Sequence, residues 1–340
     1  MKEIKRGSFF RAWSFALCLC FFAPLLEACF FMRIVFMGTP EAAVPTLRRC
    51  LKDGHEVVAV WTQPDRPAGR GHKLTASPVK EFALAHGLNL QQPSKIRTAE
   101  AWKLFASHDA DAAIVVAYGR ILPPSFLSAP RKGCINVHFS LLPKYRGAAP
   151  VNWAIVRGES LTGVTTMLMD EGLDTGPVLL REETGIGETE TATELMQRLS
   201  LMGAELLSLT LARLDQLIPQ PQRDEEATYA PVLRREDGLI DWSQDAFAIE
   251  RQVRGLQPWP NAYTFYQSSR LLLWRASAEH GGHSSNSLGT IIKAQGEELS
   301  VACGAGTMLR LLEIQPEGKR RMSARDFLNG ARVEAGEKLG

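Results

Sequence analysis

Residues 134–150 read Cys-Ile-Asn-Val-His-Phe-Ser-Leu-Leu-Pro-Lys-Tyr-Arg-Gly-Ala-Ala-Pro. Gly133 precedes this stretch, and Pro143 and Pro150 punctuate it. The apolar run of Cys134, Ile135 and Val137 therefore predicts a short buried strand that ends in an irregular loop. Residues two apart in an extended chain project to the same side, so the amide of Asn136 and the imidazole of His138 leave the strand together. Polar groups at a strand end are ordinarily satisfied by hydrogen bonds and do nothing more, but an amide donor beside an imidazole also has the makings of a reaction face. Ser140, Leu141, Leu142 and Pro143 follow as a constrained stretch, because proline fixes its own φ and restricts the residue before it. Backbone held in that way could cradle the edge of a flat ligand.

Working outward, residues 110–117, with their run Ala-Ala-Ile-Val-Val-Ala, predict a buried parallel strand ending at Tyr118 and Gly119. Further towards the N-terminus the pattern alternates: strand over 34–37, helix over 44–51, strand over 56–62, helix over 77–86. Such alternation predicts an α/β domain with a doubly wound, Rossmann-like parallel sheet, whose ligand crevice lies beyond the carboxyl ends of the strands. Gly38-Thr39-Pro40 lacks the Gly-x-Gly-x-x-Gly spacing, so no nucleotide cofactor is expected there. On the other side of the central stretch, a strand over 162–169 delivers the acidic loop Asp-Glu-Gly-Leu-Asp-Thr-Gly-Pro at 170–177. Its carboxylates, Asp174 among them, could orient an imidazole. A long amphipathic helix over 191–217 reads as core.

The segment around 218–226 is proline-rich, polar and poor in apolar residues, which is the composition of a linker. Beyond Tyr229 the pattern changes. A helix over 246–255 is followed by short strands over 262–266, 271–276, 288–294, 299–303 and 308–315 with glycine turns, which predicts a small β-barrel. The expected organisation is an extension at 1–31, a catalytic domain at 32–217, a linker at 218–228 and a barrel domain at 229–335.

Net charge is only +2 over 340 residues, so any nucleic-acid contact must come from local basic groups. Candidates are Arg66, Arg70 and Lys73 in the glycine- and proline-rich 62–73 loop, together with Arg234, Arg235 and the triplet Lys319-Arg320-Arg321. Each has an ordinary reading as a solvated basic surface, although an arginine on a glycine-rich loop can approach a phosphodiester closely. The six cysteines form no Cys-x-x-Cys pair and no Cys/His metal spacing, so reduced thiols and no metal site are expected. Residues 1–31 pair a basic start with an apolar run, the pattern of a secretory signal, yet a complete strand begins directly after Met32. The expectation favours a start codon assigned too far upstream over a working signal.

Taken together, Met-Gly-Thr-Pro at 37–40, Thr-Gln-Pro-Asp-Arg-Pro-Ala-Gly-Arg-Gly at 62–71, Val-Val-Ala-Tyr-Gly at 115–119, the 134–150 stretch and Gly-Leu-Asp-Thr-Gly at 172–176 resemble the folate-dependent formyltransferases, in particular those that act on methionyl-tRNA. The resemblance implies a first domain that carries the chemistry and an OB-like barrel that binds tRNA. It implies 10-formyltetrahydrofolate as co-substrate, with no metal, and transfer of its formyl group to the α-amine of methionyl-tRNA. Asn136 would be the oxyanion donor, His138 the proton-moving group and Asp174 its orienting carboxylate. Folate would lie against Ser140, Leu141, Leu142 and Pro143, and the 62–73 loop would meet the acceptor end of initiator tRNA through Arg70, with Arg66 and Lys73 beside it. A cytoplasmic monomer with no membrane association is expected. Two departures stand out. Ala42 occupies a position that is often aromatic in the family, which bears on recognition of the methionyl side chain. Phe139 replaces a small residue and could narrow the site. Competing readings are a 10-formyltetrahydrofolate hydrolase, a formyltransferase acting on a small sugar or nucleotide amine, and a non-catalytic RNA-binding protein built on the barrel.

Overall fold

A computed structural model describes residues 31–68, 73–281 and 288–340. The expectations for residues 1–30, for the upstream start and for Arg70 lie outside these residues.

The first part of the chain runs β1 (Arg33–Gly38), α1 (Val44–Lys52), β2 (Glu56–Trp61), β3 (Arg66–Ala68), β4 (Lys73–Thr75), α2 (Pro78–Ala85), β5 (Leu90–Gln91), α3 (Ala99–Ser107), β6 (Ala112–Val116), α4 (Pro124–Leu127), β7 (Cys134–His138), β8 (Arg146–Gly147), α5 (Pro150–Val156), β9 (Leu161–Leu168), β10 (Val178–Gly185) and α6 (Ala192–Ala212). Seven strands form one sheet in the order β10-β9-β7-β6-β1-β2-β5. From β5 to β7 the pairing is parallel, as the alternating pattern requires. At the other edge β9 runs antiparallel to β7, and β10 antiparallel to β9, so the sheet is mixed. Sequence pattern cannot fix that direction, because a short apolar run reads the same either way.

Alternation along β7 decides which face each residue serves. Ile135, Val137 and Phe139 face the larger core, packed with Leu195, Leu199 and Leu206 of α6, whereas Cys134 faces the opposite core with Trp61, Phe105 and Phe126. Phe139 is 5% exposed and therefore fills core rather than narrowing the site beside His138. Ala42 likewise packs against the larger core. Helix α6 begins with a capping box: Thr191 accepts from the Glu194 N–H, and Glu194 accepts from the Thr191 N–H.

The rest of the chain comprises β11 (Tyr229–Ala230), α7 (Ala246–Gly255), β12 (Ala262–Tyr266), β13 (Ser269–His280), β14 (Ile291–Gln295), β15 (Glu298–Ala302), β16 (Thr307–Pro316), β17 (Met322–Ser323) and α8 (Ala324–Ala331). Strands pair antiparallel in the order β12-β13-β16-β15-β14, with β17 on β16. The tail bridges the two ends of this sheet. Leu339 donates to the Gly289 carbonyl beside β14, and Gly340 donates to the Phe265 carbonyl on β12, both at 2.9 Å. Residues beyond 335 thus contribute to closure, and Leu339, only 2% exposed, joins the barrel core.

The two parts meet where α7 packs against α5. Asn152 Nδ2 donates to the Gly255 carbonyl at 2.7 Å, and Arg254 Nη1 donates to the Glu190 carbonyl at 3.1 Å. Residues 218–230 are not a free tether. Gln220 exchanges two hydrogen bonds with Val178, and β11 pairs in parallel with β8. That pairing explains Gly147, whose φ of +124° and whose Cβ position, 2.5 Å from the Ala230 oxygen, leave no room for a side chain.

Candidate active site

The loops that follow the parallel strands are tied to one another at their carboxyl ends. Thr39 Oγ1 donates to the Tyr118 carbonyl at 3.2 Å, and Gln63 Nε2 donates to the Tyr118 and Gly119 carbonyls at 3.1 and 3.2 Å. Beside this junction runs an open groove lined by Ile96, Arg97, Arg120, Ile121, Leu122 and Glu171. Ile96, Ile121 and Leu122 are its apolar lining and Arg97 and Arg120 its basic groups, and Glu171 belongs to the same loop as Asp174.

Asn136 and His138 leave one face of β7, as their spacing predicts, and the loop between β9 and β10 folds back across that face. It places the Asp174 carboxylate between them. Oδ1 lies 3.4 Å from Asn136 Nδ2, and Oδ2 lies 3.7 Å from His138 Nδ1 while accepting from the Gly147 N–H at 2.8 Å. All three side chains are largely buried: Asn136 is 8% exposed, His138 6%, and the Asp174 side chain 13%. On the far side of the ring, His138 Nε2 is 2.9 Å from the Tyr145 carbonyl. A carbonyl only accepts, so the proton belongs on Nε2, and in the neutral ring Nδ1 carries the lone pair.

Two residues here hold left-handed backbone, Tyr145 at φ +62° and Asp174 at φ +54°. Such conformations cost a non-glycine residue about 1 kcal/mol or more and persist where the surroundings fix them. Around Tyr145 the Thr228 hydroxyl accepts its N–H at 2.8 Å, and its own hydroxyl donates to Glu159 at 2.8 Å. Burial, and then Glu159, raise that phenol above its ordinary pKa, so it stays protonated and donating.

The 140–143 stretch is held largely by its own protein. Ser140 Oγ donates to the Lys144 carbonyl at 2.6 Å, and the Ser140 carbonyl accepts from Thr165 Oγ1 at 2.7 Å. The Leu142 N–H donates to Thr165 Oγ1 at 3.2 Å, the side chain packs with Met167 and Val178, and the peptide to Pro143 is cis. Leu141 is half-buried and Pro143 buried. This stretch therefore offers a fixed shape more than free polar groups.

Arg66 lies at the base of the β3–β4 hairpin, exposed, with Nη2 3.3 Å from Gln63 Oε1. Lys73 opens β4. Arg234, Arg235, Lys319, Arg320 and Arg321 are exposed, with Arg321 paired to Glu313 and its guanidinium 5.0 Å from the Trp274 ring centre. Among the described residues, no cluster of three or more His, Cys, Asp or Glu side chains could hold a metal ion, and no helix is long and apolar enough to cross a membrane. Sequence reasoning missed Tyr145, Gly147, Arg146, Thr165, Gln222 and Thr228. Most act through main chain or sit in polar loops that carry no periodic signal.

Solved structures share this fold. HypX from Aquifex aeolicus, in complex with tetrahydrofolic acid, superposes with a TM-score of 0.60 at 17% identity, over 90% of this chain and 48% of its own. This chain thus spans about half of that protein. The N-formyltransferase from Helicobacter canadensis, in complex with folinic acid and dTDP-3-aminofucose, superposes with a TM-score of 0.61 at 17% identity, over 84% of this chain and 100% of its own. At that identity the likeness establishes the fold. The formyl transferase family model matches residues 32–211, and the model of the formyl transferase C-terminal domain matches residues 232–332. Similarity extends to the methionyl-tRNA formyltransferases of Citrifermentans bemidjiense, 50% identical over 311 residues, and Caldanaerobacter subterraneus subsp. tengcongensis, 50% identical over 312. Each match covers 91% of this chain, and respectively 96% and 100% of the relative. The chain belongs to the formyl transferase family.

Proposed function

We propose that this protein transfers the formyl group of 10-formyltetrahydrofolate to the α-amine of methionyl-tRNA, supplying formylmethionyl-tRNA for initiation of translation in the cytoplasm. The observation that carries the mechanism is the Asp174 carboxylate placed between Asn136 and His138. An α-amine titrates near pH 8, and esterification of the adjoining carboxyl lowers that, so much of the attacking nitrogen is neutral at pH 7. Attack on the formyl carbon develops an oxyanion. One Asn136 N–H is directed at Asp174, which leaves the second to donate to that oxygen. The intermediate must then lose a proton from its ammonium and deliver one to the departing folate nitrogen. His138 is suited to relay it through Nδ1, and the Asp174 carboxylate stabilises the imidazolium that forms.

The groove along Ile96, Ile121 and Leu122 suits a flat ring system, and Arg97 and Arg120 at its rim suit the carboxylates of a folate tail. The fixed 140–143 turn forms a wall near the reacting carbon. Arg66, Arg70, Lys73 and the exposed arginines of the barrel supply phosphate contacts to the initiator tRNA. Incubation with 10-formyltetrahydrofolate labelled in the formyl carbon and charged initiator tRNA tests the reading. Label on the methionyl amine is the expected result. Formate release without acceptor would instead indicate a hydrolase, and label on a sugar-nucleotide amine a small-acceptor transferase.

A further inference from the structure

The 218–228 segment passes between the two loops that build the site, and one side chain on it touches both. Gln222 Nε2 donates to the main-chain carbonyl of Asp174 at 2.8 Å and to that of Gly176 at 2.7 Å. Its Oε1 accepts from Arg146 Nε and Nη2 at 3.1 and 3.0 Å. Arg146 is 2% exposed, and its anionic partner, Asp224 at 2.9 Å, has a side chain that is 84% exposed. Arg146 stands between Tyr145, whose carbonyl fixes His138, and Gly147, whose N–H fixes Asp174. The amide of Gln222 therefore links the backbone of the carboxylate loop to the residue flanked by both anchors of the imidazole–carboxylate pair.

We propose that Gln222 is a positioning residue for Asp174, holding its left-handed backbone so that the carboxylate stands between Asn136 and His138. This rests on the catalytic reading of Asp174 given above. Only a side chain with both a donor pair and an acceptor satisfies two carbonyls and a guanidinium at once, and the amide is that group. Aspartate in a left-handed conformation is strained, so the hydrogen bonds to the Asp174 and Gly176 carbonyls are what keep the loop in this form. Because the segment also leads into β11 and the barrel, the part of the chain expected to hold tRNA is mechanically continuous with the strut.

Gln222→Glu is the informative variant. It keeps an acceptor, now charged, for Arg146, so the buried guanidinium stays paired and the fold is retained. It also sets a carboxylate oxygen against two carbonyl oxygens and drives the loop away. Expected are a fall in kcat of about tenfold to a hundredfold, the scale of an ångström of misplacement, and Michaelis constants for donor and charged tRNA within about twofold of the parent. In an Asp174→Ala background the same substitution should cost nothing further, because the group it positions is gone. A parental kcat in Gln222→Glu overturns the proposal, as does a full multiplicative loss in the Asp174→Ala background. If Asp174→Ala alone is as active as the parent, the catalytic reading fails first and takes this one with it, so the two failures are distinguishable.

Discussion

His138 Nε2 lies 2.9 Å from the carbonyl oxygen of Tyr145, and this single contact sets the tautomer of the ring. With the proton on Nε2, Nδ1 is left facing Asp174 at 3.7 Å. Tyr145 can hold its carbonyl there because its own backbone is left-handed and pinned by Thr228. The orientation of the imidazole is thus dictated by a residue seven positions along the chain and by one from the segment that joins the two sheets.

If Asn136, His138 and Asp174 act as a unit, replacing each by alanine should lower kcat by about a hundredfold to a thousandfold, the usual cost of losing a preorganised donor in a transition state. All three lie outside the apolar core clusters, so each variant should still fold, at a cost of about 1 to 3 kcal/mol where a buried hydrogen-bond partner is left unpaired. Single-turnover rates with charged tRNA, together with melting curves, give both quantities. Near-normal turnover in any one variant would remove that residue from the mechanism.

Phe139 makes the opposite case. It follows His138 directly, but alternation along β7 sends its ring into the larger core, within reach of Gly203 on α6. Phe139→Ala should cost about 3 to 5 kcal/mol of folding stability, the range for an emptied aromatic site. Denaturant unfolding measures that loss. The Michaelis constants of the remaining folded enzyme should be unchanged, and a selective change in donor affinity would argue that the ring does face the site.

What could be read from the chain follows from where burial imposes a period. β1, β6 and β7 are buried on both faces and announce themselves as apolar runs, and the Asn136/His138 spacing alone puts both side chains on one face. The antiparallel direction of β9 and the strand β10, which is exposed at Glu182 and Glu183, leave no such mark. Gln222 and Thr228 lie in a stretch whose composition suggests only a linker. Their part in the site depends on which carbonyls happen to face them, and hydrogen bonds to main chain have no sequence signature.

Acid should weaken the fold partly through Asp111. Its carboxylate accepts from the Arg33 N–H at 2.8 Å, tying it to the start of β1, and from Arg131 Nη1 at 2.6 Å. Those contacts, the backbone N–H first, hold its pKa below the ordinary carboxylate range. A group whose folded pKa is depressed stabilises at pH values above its unfolded pKa, near 4, and loses that contribution as pH falls through the lower folded value. Asp111→Asn should therefore be less stable than the parent at pH 7, by about 1 kcal/mol after allowance for partial exposure. The gap should close on acidification below about pH 4. Urea unfolding at neutral and acidic pH reads this directly, and a gap undiminished in acid would mean that the charge is not the source.

The contact between α5 and α7 supports a last prediction, because α5 begins at Pro150, immediately after the loop that fixes His138 and Asp174. Gly255 ends α7 against this helix. A Cβ there would stand 2.7 Å from Val156 Cγ2, closer than real contacts allow, and a tight 3.1 Å from the Val156 nitrogen. Gly255→Val must therefore push the helices apart, at about 1 to 3 kcal/mol for overpacking, and strain the Asn152 hydrogen bond to the Gly255 carbonyl. Each sheet keeps its own core, so both should remain folded. If tRNA is held by both parts at once while the donor binds the first alone, the variant should raise the Michaelis constant for charged tRNA several-fold and leave donor affinity unchanged. The complementary truncation must run to Pro231, not stop near Glu226, because Thr228, Ala230 and Pro231 complete the first part through bonds to Tyr145, β8 and Trp153. A fragment of residues 32–231 should bind the formyl donor with parental affinity and use charged tRNA poorly, and the parent's tRNA binding should weaken with salt by about one log unit per log unit for each phosphate neutralised. Equal use of tRNA by fragment, variant and parent across a salt series would show that the barrel takes no part in holding the acceptor.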